Sequence, residues 1–547
     1  LMSSQRLIPD RAPALFFIPG IVIGFCLARE LEPQVEIVLL IAIFMAVVSL
    51  LTKRQHNIIW LLSFLLASTL CFWVYGAKRQ LGAPNLEKLN RPIREAEVSF
   101  VVKQVMQEHS QYGYTTGIAK VLEASKTSYL NKGSLIFFSL KLPQSSEFIL
   151  QRGSELSATG VLKPILPIED QNSFEAYLKN SNIHYRFERS SRLKLIRPPP
   201  RFDLFCQEMN MRFQDYLRLG APEGYLLEKI YIAMLLGQKA ELIDNQKKRY
   251  RMSGTMHFFA ISGLHIGVIA TVIAQFLILV RVPRRVGPFI GLPLLYLYVE
   301  ITGASPSAVR AFLMALFFWA SFAFTRQRSP LSALAASAVC VLIFMPEQLW
   351  SIGFQLSYTV VLSILLLGLP LYEIISKRWA PFQYLPVADW MPWQRAYAWI
   401  QDAVCLLFAI SLSAWMSSAL LSAAFFGYLS PGAILLNMLL VNLAAISIST
   451  GVISLSLGLV NLDNVALFIN HTAWLTIHAM DSLVAWSTQL PWMVVHFESF
   501  PKWLAYTGLT TYFVLLFYLQ GKQRYNRAYL FFLPPSIIIL TLLFGLV

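Results

Sequence analysis

Residues Leu235–Ala270 read LLGQKAELIDNQKKRYRMSGTMHFFAISGLHIGVIA, and in this stretch a charged segment passes directly into an apolar span. The span still contains the small or ionisable residues His257, Ser262, Gly263 and His265. An imidazole in hydrocarbon is costly unless it faces a partner or water, so it marks a candidate functional site. We predict that these four residues line a polar path through the membrane. The alternative, which is the stronger one for His257, is a tightly packed helix whose histidine is satisfied by a neighbour.

The composition places the chain among membrane proteins with many spans. Hydrophobic residues make up 56% of the 547 residues and charged residues 14%, whereas soluble proteins carry about 25% charged residues. The net charge of +15 suits anionic lipid headgroups, nucleic acid or both. The five cysteines show no CxxC or Cys/His spacing, so we predict no disulfide framework, no metal site and no cofactor.

Apolar runs long enough to cross a bilayer occur in two blocks, residues 1–76 and residues 254–547. Together they predict a polytopic α-helical membrane protein with about 13 spans, give or take about two. Between the blocks, residues 77–202 form a separate predicted domain on the outer side of the membrane. Residues 203–253 are predicted to form amphipathic helices at the membrane interface.

Basic residues in short loops orient the predicted spans. Lys53 and Arg54 place the loop between the second and third spans in the cytoplasm, so residues 77–202 lie outside. Basic residues of four later loops fall on the same predicted cytoplasmic side: Arg281, Arg284 and Arg285; Arg326 and Arg328; Lys377 and Arg378; Lys522, Arg524 and Arg527. One cluster, Lys247 to Arg251, falls on the outer side. Either this segment re-enters the membrane, or its charges serve a polyanion.

The outer domain has the pattern of a small β-barrel. Residues 93–200 contain short runs rich in β-branched and aromatic residues, separated by Gly, Asn and Ser, which predicts four to six strands. An inserted all-β fold of the OB type suits this length, and such folds bind single strands with basic grooves and aromatic rings. The predicted DNA-binding residues are Lys103, Lys120, Lys126, Lys141, Arg186 and Arg189. Alternatively, the aromatic residues form the barrel core and the basic residues only solvate its outside.

Further polar residues lie inside the second apolar block. Arg310 follows the helix-breaking stretch TGASPSAV. We predict that it either pairs with a carboxylate, with Glu300 as the candidate, or lines an aqueous path. The alternative is that its side chain snorkels to the membrane interface. The remaining predicted channel-lining residues are Gln355, Ser418, Asn437 and Asn442. Packing between helices is the commoner role for such side chains. His471, Trp474, His478 and Asp481 share a helical face that we interpret as the polar edge of an amphipathic helix, not a metal site.

Four stretches, taken in order, resemble the ComEC family. They are LLG…HFFAISGLHIG, TGASPSAVRA, GFQLSY and SAWM…SPGAILLNMLLVN, and the outer domain resembles that of the family as well. The resemblance implies an inner-membrane (plasma-membrane) channel that carries single-stranded DNA into the cytoplasm during natural transformation. It also implies contact with membrane lipids and three protein partners: a DNA receptor, a nuclease and a cytoplasmic ATP-driven motor.

The chain departs from many family members in one respect. Its eight histidines include no H-x-H-x-D-H cluster, which the metallo-β-lactamase-like domain of those members needs. The chain also has no GxxxxGK[ST] phosphate loop. We therefore expect that it is not an enzyme, and that cleavage and ATP-driven pulling fall to separate polypeptides.

Two other functions are compatible with the residues. The first is a transporter or export channel for another polyanion or envelope polymer. The second is a membrane-embedded enzyme with His257, His265 and Glu300 as acid/base groups. The enzyme is the weaker hypothesis, because the sequence has no carboxylate pair or nucleophile arrangement to support it.

Overall fold

The structure, a computed structural model, describes the greater part of the chain. The described residues are 13–52, 58–79, 92–107, 114–125, 130–141, 150–165, 174–222, 226–323, 329–382, 384–490, 493–521 and 532–546. Some residues used in the predictions lie outside these ranges: Lys53, Arg54, Lys126, Arg326, Arg328, Lys522, Arg524 and Arg527.

The chain divides into two compact units, one of which contains residues 14–211 and 339–351. It begins with three apolar helices: α1 (Phe17–Glu30), α2 (Val35–Leu51) and α3 (Ile58–Lys78). Both α1 and α2 pack on α3. The first of these pairs is close because Gly24 has no side chain: a Cβ atom there would lie 2.6 Å from the Thr69 carbonyl oxygen.

The same unit contains a closed β-barrel. Its elements are β1 (Ile93–Gln107), β2 (Tyr114–Ala124), β3 (Leu135–Lys141), β4 (Glu155–Pro164), the short helix α4 (Phe174–Asn180) and β5 (Ile183–Arg197). The strands follow the order β1-β2-β3-β5-β4, and only β3 and β5 pair in parallel. Phe100, Phe138 and Phe187 fill the interior and are fully buried. The predicted small β domain is therefore confirmed.

The other unit consists mainly of residues 212–338 and 352–547 and is helical. Its elements, with two that begin or end beyond it, are α5 (Arg201–Arg218), α6 (Leu227–Leu236), α7 (Asp244–Met252), α8 (Gly263–Leu279), α9 (Gly287–Ile301), α10 (Pro306–Ala323), α11 (Pro330–Phe344), α12 (Ile352–Ser363), α13 (Leu369–Arg378), α14 (Pro392–Phe426), α15 (Ala433–Leu459), α16 (Asp463–Ser487), α17 (Lys502–Gly521) and α18 (Leu533–Phe544). Two short strands, β6 (Tyr428–Leu429) and β7 (Val495–His496), form an antiparallel pair.

Five of these helices close into a ring. Helix α8 packs on α10, α10 on α12, α12 on α14, α14 on α15, and α15 packs back on α8. Helices α9 and α6 lie behind this ring. Helix α9 packs on α8 and α10, whereas α6 lies between Tyr298 of α9 and Gly451 of α15. Each of the four motif stretches contributes to at least one helix of the ring.

Several helices have the length and composition of membrane spans. Among the described residues, four are long and apolar enough to cross a bilayer: α3, α12 continued through α13, α14 and α15. Six further apolar helices are shorter. The class of helical membrane protein with an inserted β domain agrees with the expectation, whereas the total of about 13 spans stays a prediction.

Helix α6 corrects the predicted boundary of the interfacial segment. We expected residues 203–253 to form amphipathic helices at the interface, yet eight of the ten residues of α6 are buried. The reason is its composition: LEKIYIAMLL is apolar nearly all round, and a helix without a polar face is buried. Gly237 caps the C-terminal end of α6, and its φ of +71° is in the left-handed region that glycine adopts easily.

Candidate functional site

His265 is held within the first turn of α8. Its Nδ1 lies 3.0 Å from the Ser262 hydroxyl and accepts the Ser262 backbone N–H at 3.3 Å. The side chain is fully buried, and the backbone of Met234 and Phe258 lies beside the ring. His265 therefore faces the C-terminal end of α6. The contacts of Nδ1 agree with the packing interpretation, whereas the buried Nε2 has no hydrogen-bond partner among the described residues.

The opposite side of α8 is open. Gly263 and Gly267 lie two positions to either side of His265, which places them about 160° around the helix from it. Both are exposed, and a Cβ atom built on either would find no atom within 4 Å. Thr271 continues this exposed face one turn later. Because α6 lies on the His265 side and α9 meets Ile273, the open face points away from both helices behind the ring.

Arg310 joins two helices of the ring. It lies on α10, just after the break at Gly303, whose φ is +85°. Its Nε donates to the Ser357 hydroxyl at 2.9 Å, and its Nη2 donates to the Gly353 carbonyl at 3.0 Å. With 4% of its surface exposed, the side chain does not snorkel to an interface. Both of these partners lie on α12, and pairing with Glu300 stays a prediction.

Gln355 and Ser418 each form a hydrogen bond with another residue of the protein. The Gln355 amide oxygen accepts the Tyr506 hydroxyl of α17 at 3.0 Å, so this half-buried side chain joins α12 to a helix that is not part of the ring. Ser418 donates to the Trp415 carbonyl of its own helix at 3.2 Å. Both bonds fit the packing role that the sequence left open.

Asn437 and Asn442 lie on α15 in different surroundings. Asn442 is exposed, and its amide donates to the Met438 carbonyl one turn earlier at 3.2 Å. It shares an exposed stripe with Leu435 and Leu439. The Asn437 side-chain oxygen is buried and has no hydrogen-bond partner among the described residues. An orphaned buried acceptor is unusual in a folded protein, so of the two Asn437 is the better candidate for binding water or a ligand.

His257 lies in the short helical turn before α8. Its Nδ1 lies 3.2 Å from the Gly254 carbonyl oxygen, and its ring packs on Phe258 with 4.4 Å between the centroids. Gly254 itself packs on Ser430 and needs its φ of +73° to do so. The side chain is exposed, so these local contacts do not make His257 a buried packing residue, and its role stays a prediction.

An ion pair accounts for Arg249, one residue of the basic cluster from Lys247 to Arg251 that falls on the predicted outer side. The Arg249 Nη2 lies 3.1 Å and 3.2 Å from the two carboxylate oxygens of Asp481 on α16. About a quarter of the Arg249 side chain and a fifth of the Asp481 side chain are exposed. Arg249 therefore joins α7 to α16. Asp481 therefore forms an ion pair between helices, which its predicted place on the polar edge of an amphipathic helix did not include.

The predicted DNA-binding residues of the barrel fall into two groups. Lys103, Lys120, Lys141 and Arg189 are exposed, as the alternating pattern of the strands predicted. Arg186 differs: it donates to Glu175 at 3.1 Å and lies 5.5 Å from the centre of the Phe137 ring. Lys126 lies outside the described residues.

His184 is a half-buried titratable residue of the barrel that the sequence did not single out. Its Nε2 lies 3.0 Å from the Asn182 side-chain oxygen. Burial, together with the nearby positive charge of Lys179, lowers the pKa of His184 to about 4. The residue is therefore neutral at physiological pH and does not add to the basic surface.

The structure therefore brings only part of the predicted lining set together. Gly263 lies on the open face of α8 and Arg310 is buried between α10 and α12, whereas His265 contacts α6 and Gln355 contacts α17, neither of which belongs to the ring. The predicted lining set did not include Gly267, Thr271 or Ser357, and the sequence placed Asp481 only on the polar edge of a helix. The spacing of Gly263, Gly267 and Thr271 at every fourth position was the available signal for the open face. Among the described residues, no group of His, Cys, Asp and Glu is arranged to hold a metal ion.

Comparison with known proteins places these helices in a family. A family model described as "Competence protein" matches residues 234–522, more than half of the chain. The chain is 29% identical over 194 residues to "ComE operon protein 3" of Bacillus subtilis (strain 168), covering 35% of this chain and 24% of that protein. It is 27% identical over 252 residues to an uncharacterized protein of Aquifex aeolicus (strain VF5), covering 41% of this chain and 60% of that protein. The chain thus spans less than two thirds of either relative, and no solved structure matches it.

Proposed function

The chain belongs to the competence protein family, and on this premise we propose that it is an inner-membrane channel that carries single-stranded DNA into the cytoplasm. The family indicates a role in DNA uptake. The barrel then lies on the outer side of the membrane and receives the strand. The ring of five helices provides the path.

The closed ring is the observation that carries the proposal. An idealised ring of five parallel helices with neighbouring axes about 10 Å apart would leave a central gap of about 7 Å, given a helix diameter of about 10 Å. Such a gap is narrow for an unpaired strand, so small side chains must widen it. Helix α8 meets this need, because its open face carries glycines at two successive turns.

The charge of the path has to suit a polyanion. A strand with one negative charge per nucleotide needs a wet path, but closely spaced fixed cations would retain it, because phosphate contacts are strong. The open face of α8 is neutral, with Gly263, Gly267 and Thr271. The guanidinium of Arg310 is bound to Ser357 and Gly353. A path with neutral small residues and one cation already bound to protein groups therefore favours passage of the strand over its retention.

The barrel is suited to bind the strand at its outer surface. Five strands in a closed barrel with exposed lysines on β1, β2 and β3 match the way OB-type folds bind single strands on the face of their second and third strands. The interior of the barrel is filled by phenylalanine side chains, so binding takes place outside. We propose Lys103, Lys120, Lys141 and Arg189 as the contacts to the phosphates.

Other polypeptides complete the process in this proposal. The sequence contains no nuclease cluster and no phosphate loop. We therefore propose that the chain has no enzymatic activity and works with a DNA receptor, a separate nuclease and a cytoplasmic ATP-driven motor.

Deletion and complementation test the proposal. A deletion strain should lose transformation with labelled DNA, and the full-length gene supplied in trans should restore it. The purified full chain should also bind single-stranded DNA with an affinity that falls with salt. Normal transformation of the deletion strain would contradict the proposal. Binding of an envelope polymer without salt-sensitive DNA binding would instead support the export channel.

A further inference from the structure

The junction between β5 and α5 exposes an unusual mixture of side chains. We define the β5–α5 elbow as residues 192–205. Five large apolar residues of the elbow are each 41–50% exposed: Leu195, Ile196, Phe202, Leu204 and Phe205. Four basic residues of the elbow are also exposed: Arg192, Lys194, Arg197 and Arg201. Successive side chains of β5 point to opposite faces, so Arg192, Lys194 and Ile196 share one face of the strand. Exposed apolar side chains beside basic ones mark an interaction surface.

The acidic residues near this patch are already occupied. Glu155 pairs with Arg197 at 3.7 Å, and Asp203 pairs with Arg152 at 3.8 Å. Within the described ranges, no carboxylate forms an ion pair with Arg192, Lys194 or Arg201. The elbow therefore presents positive charge that its own surroundings do not neutralise.

The inner side of the elbow is fixed to the barrel. Gly153, with φ of +86°, lies directly beneath it, and a Cβ atom there would lie 2.7 Å from both Pro200 Cδ and Asp203 Oδ2. Pro198 to Pro200 stiffen the connection to α5. The apolar and basic side chains are therefore held in place on the outer side and not carried by a loose loop.

We propose that the β5–α5 elbow binds the surface of an anionic phospholipid bilayer. The basic residues complement the phosphates of the headgroups, and the leucine, isoleucine and phenylalanine side chains enter the boundary with the acyl chains. A nucleic-acid strand would use the cations and the phenylalanine rings but would leave Leu195 and Ile196 in water. The barrel also follows the apolar helix α3 in sequence, which has the length and composition of a membrane span.

The proposal is tested on the full chain in nanodiscs. The native cysteines are replaced, Ile196→Cys carries an environment-sensitive fluorophore, and the discs contain either phosphatidylcholine alone or phosphatidylcholine mixed with phosphatidylglycerol. Brominated acyl chains should quench the fluorophore in the mixed discs and do so much less in the neutral discs. Because each basic residue near an anionic surface changes the docked-to-free ratio about fivefold, Arg192→Gln with Lys194→Gln should lower this ratio about 25-fold.

A matched control removes the same charge elsewhere on the barrel. Lys103→Gln with Lys120→Gln, on β1 and β2, should leave the quenching unchanged. A fluorophore at residue 196 that iodide reaches equally well in mixed discs and in detergent would overturn the proposal. Protection by single-stranded DNA but not by lipid would overturn it as well, in favour of a polyanion site. None of these readouts involves DNA uptake, so they are independent of the proposed channel.

Discussion

The barrel and the ring of helices differ in what fills their interiors. The barrel fills its centre with side chains such as Phe100, Phe138 and Phe187, whose ring centroids lie about 6 Å apart, so it has no room for a passing strand. The ring is built from helices that are apolar on most faces, yet α8 turns two glycines to open space. In the proposed function, this difference assigns strand binding to the outer surface of the barrel and passage to the inside of the ring.

The largest expected effect comes from closing the open face of α8. Gly267→Trp adds a large side chain at an exposed position where a Cβ atom meets no atom within 4 Å, so the helix should fold normally while the path is blocked. We expect DNA uptake to fall by about 100-fold or more at normal protein levels, because an apolar constriction excludes a wet strand. Leu475→Trp, at an exposed position on α16 outside the ring, is the control. Unchanged uptake with Gly267→Trp would place the path elsewhere.

The next effect concerns the anchored cation of the ring. Arg310→Ala removes the charged hydrogen bonds to Ser357 and Gly353, each of which contributes about 1.5–3 kcal/mol. We expect the free energy of unfolding in detergent to fall by about 3 kcal/mol, with a smaller fall for Ser357→Ala. Arg281→Ala, at an exposed loop position, should change the thermal stability little. A stable Arg310→Ala variant that still loses uptake would mean that Arg310 acts on the strand and not on packing.

A somewhat smaller effect is expected at the ion pair behind the ring. Asp481→Asn or Arg249→Gln alone leaves one half-buried charge without its partner and should lower the free energy of unfolding by about 2 kcal/mol. The double variant should lose less than the sum of the two, with a coupling of about 1 kcal/mol. Thermal unfolding of the four proteins gives this coupling directly. Additive losses would show that the two side chains act independently.

Replacing exposed lysines of the barrel should change the salt dependence of DNA affinity and not the stability of the barrel. Lys103→Gln with Lys120→Gln should reduce the slope of log affinity against log salt for single-stranded DNA by about 1.4, because each phosphate contact contributes about 0.7. Arg186→Gln should leave the slope unchanged and lower the stability of the barrel, because its guanidinium is bound to Glu175. Titrations at several salt concentrations distinguish the two. Equal slopes in all variants would place the binding surface on other residues.

The smallest effect is expected at Ser418. Its hydroxyl bonds to the Trp415 carbonyl of the same helix, so Ser418→Ala removes a local contact and no contact to a strand. Uptake should stay within about twofold of the unmodified protein, and stability within about 0.5 kcal/mol. A tenfold loss of uptake would return Ser418 to the list of lining residues.

Sequence reasoning was more successful for the barrel than for the ring, and the reason is physical. A strand with water on one side alternates polar and apolar residues, so exposure of Lys103, Lys120 and Lys141 follows from the pattern. A helix in a membrane is apolar towards lipid and towards its neighbours alike, so its polarity does not show which face lines a path. His265 was the clearest polar residue of α8, and yet it faces α6. Gly267, which has no side chain at all, lies on the open face.

Partners in space were equally hard to predict. Arg310 and Ser357 are 47 positions apart and Arg249 and Asp481 are 232 positions apart, and both contacts depend on which helices pack together. The sequence offered Glu300 as a candidate partner ten positions before Arg310 and gave no indication of Ser357 or Gly353 as partners. Burial of α6 was closer to predictable, because a helix without a polar face seldom lies at an interface.

Cross-linking of a strand caught during passage tests the central claim most directly. In a cysteine-free full chain, Gly267→Cys and Leu475→Cys are compared, using single-stranded DNA that carries thiol-reactive groups and a bulky end that stops it midway. The account predicts adducts at residue 267 and none at residue 475. Uptake of the strand with no adduct at residue 267, or with equal adducts at both residues, would contradict it.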